Sequence, residues 1–131
     1  KLESTISVDS LKIDTLMNKY NLYNYQTIIK LDIEGNEMNA IEGGLDFIKK
    51  TSPLIIIEFS KYIFDKQDNI KYLKNFLMNY DYSIYDTNNS KTNLEDILKK
   101  LDKLKKRFKT IGNYYLIKNS SKNLKNFIEN E

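Results

Sequence analysis

The sequence predicts a three-layer α/β fold on a mostly parallel sheet. Three observations predict it. Apolar, β-branched runs alternate with stretches of helical spacing along the whole 131 residues. The run Leu54-Ile55-Ile56-Ile57 is apolar without alternation, the pattern of a strand covered on both faces. The charged turn Asp32-Ile33-Glu34-Gly35-Asn36-Glu37 stands between a strand run and a helical run. In open α/β sheets, ligands bind beyond the carboxyl ends of the strands, so this turn is where such a fold places its chemistry.

The elements follow in order. Ile6 and Val8 alternate with polar residues, as at a strand end or edge. Asp9 and Ser10 are good helix-capping types, and Ile13, Leu16, Met17 and Tyr20 recur at helical spacing after them. Residues 21–25 read as a loop. Residues 28–33 form the first strong strand, broken by Gly35. A helix then runs to about Lys50, with Glu37 in its first turn and Lys49 and Lys50 in its last, a charge order that suits the helix dipole. Ser52-Pro53 stops it, and proline is tolerated at the first residue of the strand 54–59. A helix over 69–80 turns Ile70, Leu73, Phe76, Leu77 and Tyr80 to one side. Tyr82 to Tyr85 is a short strand, and Asp86 to Lys91 a polar loop. Thr92-x-x-Glu95 has the form of a capping box and opens a helix carrying Leu94, Ile97, Leu98, Leu101 and Leu104. Gly112 ends that segment, and an antiparallel strand follows near 113–118. The tail, residues 119–131, is expected to fray. No repeat or linker divides the chain, so residues 1–131 are expected to form a single domain.

Composition excludes several classes of chemistry. There is no Cys, hence no disulfide, and no His, which removes the usual general base and the commonest transition-metal ligand. A metal here would be a hard cation on carboxylate oxygens. No apolar run approaches the roughly 20 residues that span a bilayer, and no signal peptide opens the chain, so a cytoplasmic location is expected. The net charge of +3 is uneven. Residues 91–109 carry eight basic and three acidic side chains, which leaves the rest acidic by two. This basic helix, 92–109, would suit phosphates or an anionic membrane, or form a solvated face. It holds few aromatics on which bases would stack, so nucleic acid is not the expected partner.

Four residues are candidates for chemistry. Lys30, Asp32 and Glu34 alternate and so share a strand face, where a lysine keeps nearby carboxylates ionised. Asp32 is the first choice for taking or orienting a hydroxyl proton, because a charge late in an apolar strand is costly without a purpose. Glu58 ends the next apolar strand at a similar level. With Asp32 it would hold Mg²⁺ or position a substrate hydroxyl, or it is merely a solvated terminus. Glu37 reads as a stabiliser of the helix start. No P-loop and no Gly-x-Gly-x-x-Gly stands anywhere, so the turn that usually cradles a nucleotide or cofactor is missing.

At these residues the chain resembles the FkbM-type methyltransferase family. The matching residues are Ile29 to Glu37, Ile41-Glu42-Gly43-Gly44, Pro53 to Glu58, and the upstream Val8-Asp9-Ser10-Leu11. The late Tyr-rich strand resembles the final antiparallel strand of that fold. The resemblance implies S-adenosyl-L-methionine as cofactor and a small-molecule hydroxyl acceptor, such as a sugar. It implies the C-terminal half of a Rossmann-like methyltransferase fold, since the family's glycine-rich cofactor loop and ribose-binding acid are not in this sequence. A missing N-terminal half, or a homo-oligomer, would then complete the enzyme. Asp32 and Glu34 match the family's motif, near the methyl group or the substrate, and Asp32 could also touch the cofactor. Lys30 and Glu58 complete the candidate catalytic set. The other reading is a non-catalytic half-fold that binds a partner through its sheet edge or basic helix.

Overall fold

A computed structural model of the chain describes residues 6–104 and 109–121. It contains six helices, a short 3-10 turn and five strands among these residues. In chain order they are α1 (Ile13–Tyr20), the 3-10 turn (Leu22–Asn24), β1 (Ile28–Leu31), α2 (Glu37–Gly43), α3 (Leu45–Thr51) and β2 (Leu54–Ser60). Then come α4 (Lys61–Phe64), α5 (Gln67–Asn79), β3 (Tyr82–Tyr85), β4 (Lys91–Thr92), α6 (Leu94–Asp102) and β5 (Thr110–Lys118).

The sheet runs in the order β1-β2-β5-β3-β4. β1 and β2 pair in parallel, with Ile29 opposite Ile55 and Leu31 opposite Ile57. The other three pairings are antiparallel. The expected mostly parallel sheet is therefore corrected. β1, β2 and β3 do run in one direction, but β5 inserts between β2 and β3 against both of them. That position for the late strand is the one that turns parallel neighbours into antiparallel ones.

One face of the sheet makes the core. Ile29, Leu31, Ile55, Ile57, Phe59, Tyr114, Leu116, Tyr82 and Ile84 alternate onto it. Ile41, Phe47, Ile48, Ile63, Leu73, Phe76, Ile97 and Leu101 of the helices pack there, all buried. The opposite face gathers a smaller cluster of strand residues alone: Leu54, Tyr85 and Ile117, with Ile56 and Tyr115 half-buried. Every described helix that reaches the core thus lies on one side. The described residues form two layers, not the expected three. The unbroken apolar run of β2 reflects its central place between β1 and β5, which buries Leu54 without a helix of the core cluster over it.

Several boundaries differ for local reasons. Ile6 and Val8 lie exposed in irregular chain, not in a strand. Lys12 precedes α1, and the acid that matters is Asp14. Its carboxylate accepts from the amides of Asp46 and Phe47, 3.2 and 2.8 Å away, tying α1 to the start of α3. The single helix expected over 37–50 is two, broken at Gly44, where a Cβ would stand 3.0 Å from the Ile13 side chain. The cap of α6 is Asn93, not Thr92. Its side chain accepts from the Asp96 amide at 2.9 Å, so the capping pattern is shifted by one residue. Thr92 instead pairs with Ile84, and Lys91, the expected end of the polar loop, pairs with Tyr85, in a β3–β4 hairpin. Gly112 does not end a helix. It lies inside β5, beside an irregularity at Phe59/Ser60. Most of the tail lies outside the described residues, as do Lys105 to Phe108 of the basic stretch.

Candidate functional site

The carboxyl ends of β1 and β2 carry the charged residues, as an α/β fold requires. β1 stops at Leu31, and a turn follows at once. The Asn36 amide donates to the Ile33 carbonyl at 3.4 Å, with Glu34 at φ 55° and Gly35 at φ 96° between them. Positive φ at both central residues is the geometry of a type I′ turn, which only glycine, asparagine and aspartate adopt readily. Glutamate at the first position is held there against its preference.

Two contacts hold it. Gly35 is buried against Tyr62, the second residue of α4. A Cβ on Gly35 would meet the Tyr62 Cβ at 3.0 Å and its carbonyl oxygen at 3.2 Å, so the backbones meet only because position 35 has no side chain. Glu37, 2 % exposed, accepts from the Ile33 amide through Oε1 at 3.1 Å. Its Oε2 is buried and has no partner among the described residues.

The turn and β2 together wall a cleft of about 250 Å³ lined by Glu34, Glu58, Ser60, Tyr62, Lys109 and Thr110. Ser60 is 4 % exposed, and among the described residues its hydroxyl has no hydrogen-bond partner. Lys109 donates to the Tyr62 hydroxyl and lies over the Tyr62 ring, 4.6 Å from its centre. The hydrogen bond to Tyr62, and then the negative charge of Glu34, hold the Lys109 ammonium above the ordinary lysine value. The Thr110 hydroxyl donates to the Phe59 carbonyl at 3.1 Å and accepts from the Gly112 amide. Two carboxylates, an ammonium, a phenol and an orphaned hydroxyl thus meet in one cleft. Such a set can bind a neutral polyhydroxylated molecule and accept a proton from one of its hydroxyls.

Of the four residues expected from the sequence, the structure brings Glu34 and Glu58 into this cleft and leaves the other two beside it. Lys30 and Asp32 form an ion pair at 2.8 Å, with side chains 54 % and 44 % exposed. Asp32 lies just past the end of β1, in water, so the argument from a costly buried charge does not apply to it. That argument fits Glu37, which had been read only as a helix stabiliser. Ser60, Tyr62, Lys109 and Thr110 were not anticipated. Lys109 was counted with the basic helix, but α6 ends at Asp102 and Lys109 returns to the sheet. Of the other described basic residues in that stretch, Lys99 pairs with Asp96 at 3.4 Å and Lys100 donates to the Tyr114 hydroxyl. Among the described residues no three carboxylates gather as a metal site, and no helix is long and apolar enough to cross a membrane.

Comparison with known proteins agrees with the motif at the turn. Neither the curated proteins nor the solved structures yield a match. The sequence model of the FkbM methyltransferase domain matches residues 1–106, which span β1, the charged turn, β2 and α6. A match over most of the chain shows the family: this chain belongs to the FkbM methyltransferases.

Proposed function

We propose that the chain forms the acceptor side of an S-adenosylmethionine-dependent O-methyltransferase, acting in the cytoplasm on a hydroxyl of a sugar or a similar small metabolite. The observation that carries this reading is the cleft at the end of β2, where two carboxylates and an orphaned serine hydroxyl line the same space. Methyl transfer to oxygen needs the hydroxyl held in line with the donor and its proton removed. Glu58 and Glu34 are the groups we assign to that proton. Lys109 sets a positive charge beside them, and the Tyr62 ring and hydroxyl offer a face and an edge to a polyhydroxylated acceptor. Asp32, paired with Lys30 at the end of the neighbouring strand, stands outside the cleft lining and takes a lesser part, in setting the local charge.

The donor itself does not fit the described residues. S-adenosylmethionine supplies an electrophilic methyl group, and its nucleoside and amino-acid parts need an open backbone cradle. The glycines at hand do not make one: the Cβ space of Gly35 is taken by Tyr62, and that of Gly44 by Ile13. The cleft also falls below the roughly 300–1,000 Å³ of pockets that enclose whole small molecules. The reading therefore assigns the donor to a further segment or a second copy. Among the described residues the outer edge of β1 has no strand partner and is suited to receive it. Of the ten exposed large apolar residues among those described, eight lie between Ile6 and Ile33, the stretch that contains β1. The same observation supports the second reading, a partner-binding module without activity of its own.

Two measurements test this. Residues 1–131 titrated with S-adenosylmethionine in a calorimeter should bind more weakly than about 100 μM, since the backbone cradle is missing. Micromolar binding at one site per chain would contradict the division of labour. Labelled methyl transfer to a panel of glycosides, with the donor-binding segment supplied, should be detected. A chain that binds its partner with no transfer to any hydroxyl would leave the module reading.

A further inference from the structure

We propose that Glu37 is a positioning residue that holds Glu34 in the cleft, through the amide of Ile33. The inference rests on the reading of Glu34 as a carboxylate of the acceptor site.

Glu34 sits at φ 55°, a conformation that a glutamate does not choose. It persists only where neighbouring structure over-determines it. One constraint is the tight passage of Gly35 against Tyr62. The other is the buried Glu37 carboxylate, whose Oε1 takes the Ile33 amide at the entrance of the turn. Ile33 is exposed and lies just past β1, and among the described residues β1 pairs only with β2, through Ile28 to Leu31. The strand ladder thus offers the Ile33 amide no acceptor, and Glu37 supplies one. The bond spans four residues and closes the turn from outside, so the direction of Glu34 depends on both Gly35 and Glu37.

A carboxylate buried to 2 % exposure with one oxygen unpartnered is a costly way to fill core space. A leucine would fill that space without the cost. What leucine lacks is the acceptor, and the acceptor is what the turn uses. Glutamine keeps an oxygen acceptor at nearly the same place.

The test compares the full chain with Glu37→Gln and Glu37→Leu by nuclear magnetic resonance. Two signals report the turn: amide exchange at Ile33, and the Overhauser contact between the Gly35 Hα and Tyr62 Hβ protons. In the native chain and in E37Q, the Ile33 amide should be protected and the contact present. In E37L, Ile33 should exchange about tenfold faster or more, as expected for loss of its single acceptor, and the contact should weaken. The amides of Ile57 and Leu116, in the β2–β5 ladder, should stay as protected as before. The proposal is overturned if E37L keeps both turn signals. It is overturned equally if E37Q loses them, since the acceptor would then not be what matters. It also fails if E37L loses the β2–β5 protection, which would make Glu37 a residue of the whole fold. None of these signals depends on methyl transfer, so the expected signals together with no transfer to any hydroxyl when the donor-binding segment is supplied would refute the enzyme reading of Glu34 and leave the anchoring of the turn intact.

Discussion

Replacing Gly35 by alanine adds one methyl group at the closest backbone approach of the candidate site. Two separable costs follow. The first is conformational: φ is 96° at Gly35, and an L-residue held in the left-handed region loses about 1–2 kcal/mol. The second is steric. The new Cβ would stand 3.0 Å from the Tyr62 Cβ and 3.2 Å from the Tyr62 carbonyl oxygen. The carbonyl is backbone and α4 must move to yield, which costs about 1–3 kcal/mol by analogy with overpacked cores. The expected loss is therefore about 2–5 kcal/mol, a large part of the roughly 5–15 kcal/mol that holds a domain together. The chain contains its own control. Gly112 has the same φ of 96°, but among the described residues nothing stands within 4 Å of its Cβ position. Gly112→Ala should therefore carry the conformational cost alone, about 1–2 kcal/mol. The gain in chain stiffness on going from glycine to alanine is the same for both and cancels in the difference. Urea unfolding of the two variants and the parent measures the difference directly. G35A should be less stable than G112A by about 1–3 kcal/mol, the steric part alone. Equal stabilities would refute the close contact of the turn with Tyr62, and with it the route by which Glu34 reaches the cleft.

Two further outcomes follow from other contacts. Asp14→Ala should cost about 1–2 kcal/mol in denaturant unfolding, because it leaves the Asp46 and Phe47 amides without their acceptor; a loss indistinguishable from zero would dismiss the link between α1 and α3. Stability should fall as pH rises above about 10. Burial holds the Tyr82 phenol well above its ordinary value, and burial together with Glu42 pushes Tyr72 up to about 12. Above pH 10 the unfolded chain releases these protons while the folded chain keeps them, so the folded state is penalised there and unaffected below. Thermal midpoints from pH 8 to 11.5 should therefore decline at the alkaline end, and less steeply in Tyr82→Phe, which also gives up the 3.1 Å bond to the Pro53 carbonyl. An identical slope in the two proteins would remove Tyr82 from the account.

The strands and helices with strong periodicity were legible in the sequence. β2, β3 and α5 fall within two residues of expectation, because Leu54 to Phe59 and Leu73-Phe76 obey the period of their element, and α6 starts two residues late but ends at Asp102, short of the expected 109. What was not legible is what depends on neighbours distant in sequence. The insertion of β5 between β2 and β3 cannot be read from periodicity, since Tyr114 to Ile117 would suit either direction. The break at Gly44 is set by Ile13, thirty-one residues earlier in the chain. The same limit governed the site. The motif around Asp32 and Glu34 lies at the end of β1, and Glu58 lies on its neighbour β2. Both Asp32 and Glu34 stand past the end of β1, exposed. Asp32 turns to Lys30, whereas the left-handed turn, which the Glu-Gly pair only hints at, sets Glu34 at the wall of the cleft. Lys109 was hidden by its neighbours in sequence, a run of basic residues that suggested a helix face.

The central claim is that the carboxylates of the cleft, and Glu58 first among them, take the proton of the acceptor hydroxyl. The measurement that bears on it most directly is turnover, in a preparation that transfers methyl groups, of Glu58→Gln beside Asp32→Asn, with thermal midpoints recorded for both. A lost general base lowers turnover by about 10²–10⁴-fold. A broken surface ion pair is worth about 0–1 kcal/mol and little in rate. The account predicts the large loss for E58Q, with an unchanged midpoint, and less than about tenfold for D32N, which breaks only the exposed pair with Lys30. The reverse order, with D32N nearly inactive and E58Q close to the parent, would contradict it and move the chemistry to the end of β1.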